Sequence, residues 1–292
     1  LKHITKSFTG KEVLKGISLC SESGTAFGLL GQNGAGKTTT IRILMNVFPA
    51  DSGEILIDGQ KIDYNTIKLG YLPEERGLYP KKKINDQLLY FAELNGMRAK
   101  DAQKSIDRWL DRLGMAEYKN QKLNTLSKGN QQKIQLITAL AHDPDIIILD
   151  EPFSGLDPVN AMLLKEVVKE EIARGKIVLF SSHQMNYIEE FCDCIAILNG
   201  GKIALSGALK EIKHSMSGNK IALCTPEKER IFAEYGSRCT ENEDGELIIQ
   251  LDEKGALQSE IQKITAEYEI ESVRVYEPSL NDIFVAYAGD QV

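Results

Sequence analysis

The sequence has no stretch that approaches 18 uncharged apolar residues, so nothing in it reads as a membrane-spanning helix. Its first residues, LKHITKSF, lack both an initiator Met and an apolar run, and they read as a trimmed N-terminus, not a signal peptide. Cysteine is scarce and odd in number, five in all and irregularly spaced, which excludes a disulfide frame. The one close pair, Cys192 and Cys194, has no second Cys/His pair nearby to complete a metal site, so both read as small buried hydrophobes in a reducing, cytosolic compartment. A basic stripe is missing too, which argues against a nucleic-acid partner. Internal repeats, low-complexity tracts and heptads are absent as well. With 42% hydrophobic and 26% charged residues the chain is globular in composition, and 292 residues suffice for one large domain and a small one.

The charge is unevenly spread. Residues 216–292 hold 7 Lys/Arg against 16 Asp/Glu, while residues 1–215 hold 28 against 26, so the net charge of −7 sits in an acidic tail. The polar stretch SGALKEIKHSMSGNK at 206–220 marks a boundary, giving expected domains 1–212 and 216–292. Within the first, AFGLL at 26–30 reads as a strand that runs into a glycine-rich loop, with helical spacing in TTTIRILMNVF after it. EILID at 54–58 followed by Gly59 reads as a strand and turn, and residues 83–141 turn helical. IIIL at 146–149 and IVLF at 177–180 have the continuous apolar character of buried parallel strands. Residues 196–205 read as a hairpin around Asn-Gly-Gly. The tail shows strands at 220–224, 246–251 and 271–276 and a helical stretch at 255–268, a small α+β domain.

Chemistry enters at Gly31-Gln-Asn-Gly-Ala-Gly36-Lys37-Thr38, a complete phosphate-loop pattern. The glycines let successive N–H groups converge on phosphate oxygens, Lys37 supplies a point charge to the β and γ phosphates, and Thr38 offers a hydroxyl to Mg²⁺. Asp150, at the end of a buried strand, is placed to hold Mg²⁺ through water, and Glu151 to polarise an attacking water. Leu126-Ser127-Lys128-Gly129-Asn130-Gln131-Gln132 opens a helix with Ser127 as a natural N-cap; alone it is also consistent with an ordinary capped helix. Trp109 reads as helix packing, His3, His142 and His214 have no ligand partners at useful spacing, and Lys81–Lys83 reads as a solvated turn.

Together these residues resemble the ATP-binding cassette of an ABC transporter over about residues 1–210. The resemblance makes the phosphate loop Walker A, Ile146–Asp150 Walker B, Glu151 the catalytic base, and LSKGNQQ the family signature. Ser154-Gly155-Leu156-Asp157 resembles the D-loop, His183 in SerSerHis the switch histidine, and Phe8 the aromatic that stacks on adenine. The signature departs from the usual LSGGQ at Lys128 and Asn130, and Glu74 in GYLPEERGLYPK stands where most of the family has Gln. That run, and PSLNDIFVAY at 278–287, resemble the ATPase subunits of ABC-2-type exporters, including sodium-extrusion ATPases.

The resemblance implies an α/β fold: a P-loop NTPase cassette with a RecA-like core and a helical subdomain, plus the small C-terminal α+β domain. It implies ATP and Mg²⁺ as ligands. Phe8, Gly31, Asn33, Gly34, Gly36, Lys37, Thr38, Thr39, Glu74, Ser127, Gly129 and Asp157 would contact nucleotide. Thr38, Glu74 and Asp150 would face the metal, and Glu151 and His183 would act in catalysis. The implied partners are a transmembrane permease subunit and a second cassette in a homodimer, with the chain cytoplasmic and peripheral at the inner face of the membrane. The rival readings are a soluble ABC protein of translation or DNA repair, disfavoured by the single cassette and acidic tail, and a phosphate-loop kinase or GTPase outside the family.

Overall fold

The computed structural model describes every residue except 76, 155, 243, 252–256 and 289–292. The described residues form two compact units, one of Leu1–Ala208 with the residues from Ala286 onward, the other of Leu209–Val285.

The first unit opens with β1 (Lys2–Phe8), β2 (Lys11–Ile17), β3 (Ala26–Gly31) and α1 (Lys37–Leu44). Short strands β4 (Ser52–Glu54), β5 (Leu56–Ile57) and β6 (Gln60–Lys61) lead to β7 (Leu69–Leu72). Three helices follow, α2 (Ile84–Leu94), α3 (Ala99–Arg112) and α4 (Lys128–Leu140). Then come β8 (Ile146–Asp150), α5 (Pro158–Ala173), β9 (Ile177–Ser181), α6 (Met185–Phe191), β10 (Cys194–Asn199) and β11 (Lys202–Ala208). Six strands make the central sheet in the order β11-β10-β3-β9-β8-β7, parallel throughout except for the β10–β11 hairpin. Every residue of β3 and β8 is buried, which is why both read as unbroken apolar runs instead of alternating ones. Phe27, Leu29, Ile148 and Leu198 of this sheet join Ile41 of α1 in the core.

The register matters more than the order. Leu29 pairs with Ser181 and Ser181 with Asp150, so β3, β9 and β8 end level with one another. The loop after β3, the acids after β8 and the serines after β9 therefore leave from one end of the sheet, the carboxyl end where open α/β sheets bind ligands.

The expected strand at 54–58 is divided. Ser52–Glu54 pairs with β1 in a second, antiparallel sheet of order β2-β1-β4, while Leu56–Ile57 folds onto Gln60–Lys61 around Asp58-Gly59, both at positive φ. The hairpin expected at 196–205 forms, turning on Gly200 and Gly201. Trp109 is buried on α3 beside Ile106 and Leu110, as helix packing requires.

The second unit contains α7 (Leu209–Ser217), β12 (Lys220–Cys224), α8 (Lys228–Tyr235), β13 (Cys239–Glu241), β14 (Leu247–Gln250), α9 (Leu257–Glu267) and β15 (Ser272–Val275). It also holds the start of α10 (Leu280–Ala288). Its strands lie in the antiparallel order β13-β14-β12-β15, the split βαβ arrangement of an α+β domain. Ile221, Leu223, Leu247 and Ile249 alternate along their strands and pack with Ile231 and Ile264 from the helices. The helical stretch expected at 255–268 is α9; residues 255 and 256 lie outside the described set.

One contact fixes how closely α4 approaches the sheet. A Cβ added to Gly70 of β7 would lie 2.3 Å from the Ala139 carbonyl oxygen and 2.8 Å from Pro144 Cγ. Gly70→Ala is therefore expected to destabilise the chain by about 1–3 kcal/mol, the cost of forcing a methyl into packed surroundings. Chemical denaturation of the two forms measures this. Equal stability would mean that the helix can step back from the strand freely.

Candidate nucleotide site

The phosphate loop is shaped by its glycines. Gly36 sits at φ +117, and a Cβ there would meet Leu14 Cδ2 at 2.6 Å; at Gly31 it would meet the Leu198 carbonyl at 2.6 Å. Backbone alone can pass between β2 and β10 at these points. The chain then enters α1 with no side chain capping the helix and no acid in its first turn, so the leading N–H groups are left for an anion. Asn33, Gly34 and Thr38 are exposed and Thr39 half-buried, so the loop is open to solvent. Lys37 Nζ folds back onto the loop, donating to the carbonyls of Gly31 (2.6 Å) and Gln32 (3.3 Å). Gln32 Nε2 in turn donates to the Ala288 carbonyl at 2.8 Å, and Asn199 Nδ2 to that of Tyr287 at 3.1 Å, so the last turn of α10 lies against the loop's rim.

Charge accumulates opposite the loop. Asp150 is only 7% exposed, and that burial pushes its pKa up. Bonds from Ser181 and from Tyr71 Oη (3.4 Å) hold the carboxylate against the push; Glu151 adds to it and Lys37 relieves it. Tyr71 itself is pushed up to about 12, first by burial and then by the charge of Asp150. Burial lowers the pKa of Lys37, and Glu151, Asp150 and Glu74 oppose that shift. Glu74 is exposed two residues beyond β7, yet its charge is felt at both Lys37 and Tyr71.

Glu151 is held from four sides. Its N–H donates to the Ser181 carbonyl at 2.8 Å, and Oε2 accepts from Ser182 Oγ at 2.9 Å. Oε1 accepts from the His183 N–H at 2.8 Å and lies 2.7 Å from His183 Nδ1. The residue sits at φ 49, the left-handed region, which costs a non-glycine residue about 1–2 kcal/mol. The converging bonds compensate for that strain and aim the carboxylate. Glu151 is buried while the imidazole of His183 is 69% exposed, so the pair joins the interior to the open side of the site.

The signature residues lie apart. Ser127 caps α4 by accepting from the Asn130 N–H at 3.3 Å and is exposed. Gly129 is close-packed: a Cβ there would meet Asn160 Nδ2 at 2.7 Å and Asp157 Oδ2 at 3.6 Å. Asp157 caps α5, accepting from the Asn160 N–H at 3.0 Å, and these bonds hold its carboxyl below the ordinary range. Gly129, Asp157 and Asn160 thus cluster beside Ser127, with Ser127 and Asp157 exposed and Gly129 half-buried. Among the described residues no hydrogen bond or ion pair joins Ser127, Gly129 or Asp157 to Gly31–Thr39. Gly155 lies outside the described residues. Phe8, at the end of β1, is 41% exposed and packs edge-on against Phe48 at 5.4 Å, on the sheet whose Leu14 abuts Gly36.

Among the described residues no three His, Cys, Asp or Glu gather as a self-sufficient metal cage. The hard oxygen donors at this end of the sheet, Thr38, Asp150 and Glu74, are few. They suit Mg²⁺, which completes its shell with phosphate and water. The serines of SerSerHis were visible in the sequence as part of a motif, but their grip on Asp150 and Glu151 was not. Tyr71 and Gln135, whose contacts span more than fifty residues, gave no local signal.

Comparison with known proteins agrees with this geometry. Residues 14–154 match the family model described as "ABC transporter", and residues 207–288 match "ATP-binding protein DrrA1-3-like, C-terminal domain". The chain is 42% identical over 292 residues to the uncharacterized ABC transporter ATP-binding protein YhaQ of Bacillus subtilis, covering 99% of this chain and 98% of that one. It is 31% identical over 302 residues to the linearmycin resistance ATP-binding protein LnrL of the same organism, covering 99% and 97%. A solved ATP-binding subunit of an ABC transporter superposes with a TM-score of 0.67 at 28% identity, over 73% of this chain and 91% of that one.

The burial of Asp150 has a consequence for stability. Its folded pKa lies above the ordinary 3.8, so below that value folded and unfolded chains are both protonated and nothing is lost. As pH rises through the raised folded pKa the contribution disappears, leaving a buried charge at neutral pH. Asp150→Asn is therefore expected to melt several degrees higher than wild type at pH 7.5 without nucleotide, the gap closing as pH falls towards 4. A lower melting temperature at pH 7.5 would show that the charge, not its neutral form, is what the fold prefers.

Proposed function

The chain belongs to the ATP-binding proteins of ABC transporters and hydrolyses ATP to power an export system; from that premise we propose how its residues divide the work. The phosphates of ATP enter the loop Gly31–Thr39, and Lys37 leaves its own loop carbonyls for the β and γ phosphates. That exchange favours binding, because a partly buried ammonium gains phosphate oxygens in place of neutral carbonyls. Adenine stacks on Phe8 at the rim. Thr38, Asp150 and Glu74 would hold Mg²⁺, which would supply positive charge to the phosphate oxygens. Tyr71 and Ser181 keep Asp150 ionised and oriented for that task.

The observation that carries the reading is the grip on Glu151. Ser182 and the His183 N–H fix both carboxylate oxygens, leaving the group oriented to take a proton from an attacking water. His183, in contact with the same oxygen and mostly exposed, orients that carboxylate from the open side.

Ser127 and Asp157 are exposed, Gly129 lies half-buried beside them, and among the described residues none of the three bonds the loop of its own chain, which supports a homodimer in which they complete the partner's site. ATP closes such a dimer and hydrolysis reopens it. Among the described residues no helix is long and apolar enough to cross a membrane, so a separate permease converts the motion and holds the chain at the inner membrane face. The DrrA-like C-terminal match and the LnrL relative support export as the direction.

Glu151→Gln is expected to bind Mg-ATP normally and hydrolyse it about 10²- to 10⁴-fold more slowly. Gel filtration with Mg-ATP should then show an accumulated dimer; a monomer turning over at the wild-type rate would refute both the base and the dimer. Glu74→Gln is expected to keep most of the activity yet need more Mg²⁺ for half-maximal rate, because it removes a negative charge beside the phosphates. A Mg²⁺ titration identical to wild type would place Glu74 outside the site.

A further inference from the structure

Gln135 lies in the middle of α4, about two turns beyond Ser127, and only 4% of it is exposed. Its side-chain nitrogen donates to two backbone carbonyls, those of Pro73 at 3.1 Å and Glu75 at 3.2 Å. These are the residues on either side of Glu74. One amide group, with two hydrogens, thus brackets the acid whose charge reaches Lys37. No other side chain of the described residues bonds either carbonyl.

The helix that carries Gln135 has little freedom against the sheet. Its Ala139 carbonyl presses on Gly70, three residues before Pro73, so α4 and β7 meet at backbone distance. At its other end α4 begins at Lys128, capped by exposed Ser127. The segment Pro73–Glu75 leaves β7 without further regular structure, and Glu74 is exposed there. An exposed acid at a strand end is placed by whatever holds the backbone around it, and here Gln135 holds the carbonyls of Pro73 and Glu75.

We propose that Gln135 is a positioning residue that couples the signature end of α4 to Glu74, setting how the acid meets the Mg-nucleotide. The proposal rests on the placement of Glu74 and Ser127 in the nucleotide site argued above. When Ser127 engages the nucleotide of a second copy, the load on the start of α4 passes along the helix to Gln135 and through its two bonds to Pro73–Glu75. The amide is suited to this because its one nitrogen donates to both carbonyls. The coupling is specific to the residue type: an acceptor at the same position would repel both carbonyls, and a hydrocarbon would leave them unpaired.

The test is a double-mutant cycle on the full chain with two near-isosteric replacements, Gln135→Met and Gln135→Glu, each alone and combined with Glu74→Ala. Two readouts are used: Mg²⁺ dependence of binding of a fluorescent ATP analogue, and Mg²⁺ dependence of hydrolysis. Loss of an outer partner of a metal-facing group typically costs about 10- to 100-fold in metal affinity. The low end is expected here, roughly a tenfold rise in half-saturating Mg²⁺ with kcat at saturating Mg²⁺ little changed. In the Glu74→Ala background the same replacements should add nothing. Amide exchange of the segment following β7 should quicken in both single variants while that of β8 stays unchanged, a readout that needs no metal. The proposal is overturned if Glu74→Ala shifts the Mg²⁺ dependence and the Gln135 replacements do not, or if their shift persists in the Glu74→Ala background. If Glu74→Ala itself leaves the Mg²⁺ dependence unmoved, the placement of Glu74 fails and the coupling fails with it. Should one replacement not fold, the other carries the cycle.

Discussion

Two carboxylates and one ammonium are withdrawn from water at the same end of a parallel sheet, and the surrounding structure answers to that imbalance. Asp150 and Glu151 are each 7% exposed, and Lys37 is a cation whose charge is felt by both. Burial of unpaired charge is among the larger penalties a fold can carry. The hydroxyls of Tyr71, Ser181 and Ser182 and the His183 N–H are arranged around the two acids to offset it. A ligand that brings phosphates and a divalent cation changes the balance at once: the cation answers the acids and the phosphates answer Lys37. Affinity for such a ligand thus follows from the charge of the two buried acids and of Lys37.

Strand pairing and helix caps place the two sets of residues by different means. The level ends of β3, β8 and β9 fix the groups proposed to meet phosphate and metal to within the tolerance of strand pairing. The residues proposed to meet a second copy, Ser127, Gly129 and Asp157, sit at helix starts, where the side chains of Ser127 and Asp157 cap α4 and α5.

The sequence disclosed what is contiguous and backbone-driven. Gly31–Thr38 reads as a phosphate loop because its function lies in consecutive peptide units, and β3 and β8 read as buried strands because both faces are covered. β1 and β2 escaped notice because KHITKSF and KEVLKGI bury few residues, one and two respectively, and are broken by register shifts, so no clean alternation survives. The strand expected over 54–58 failed at residue 55, where one half pairs backwards to β1 and the other forwards to β6. Tyr71 with Asp150 and Gln135 with Pro73 are contacts made across the sheet order, which local periodicity does not encode. The left-handed turn at Glu151 is likewise a product of its partners, since nothing in Asp-Glu-Pro demands it.

The strand order also dictates when the site can come into being. β3 is among the first elements made, yet it pairs only with β9 and β10, which lie some 150 residues later. At a synthesis rate of about 5–20 residues per second, its fully apolar face waits roughly ten seconds or more for either neighbour. A nascent chain that has not yet reached residue 177 holds the entire phosphate loop but has no sheet to mount it on. The second unit meets no such delay, because β12 finds β14 and β15 within a few dozen residues. The nucleotide site is therefore a late event in the life of each molecule, although its most recognisable segment is one of the earliest to emerge.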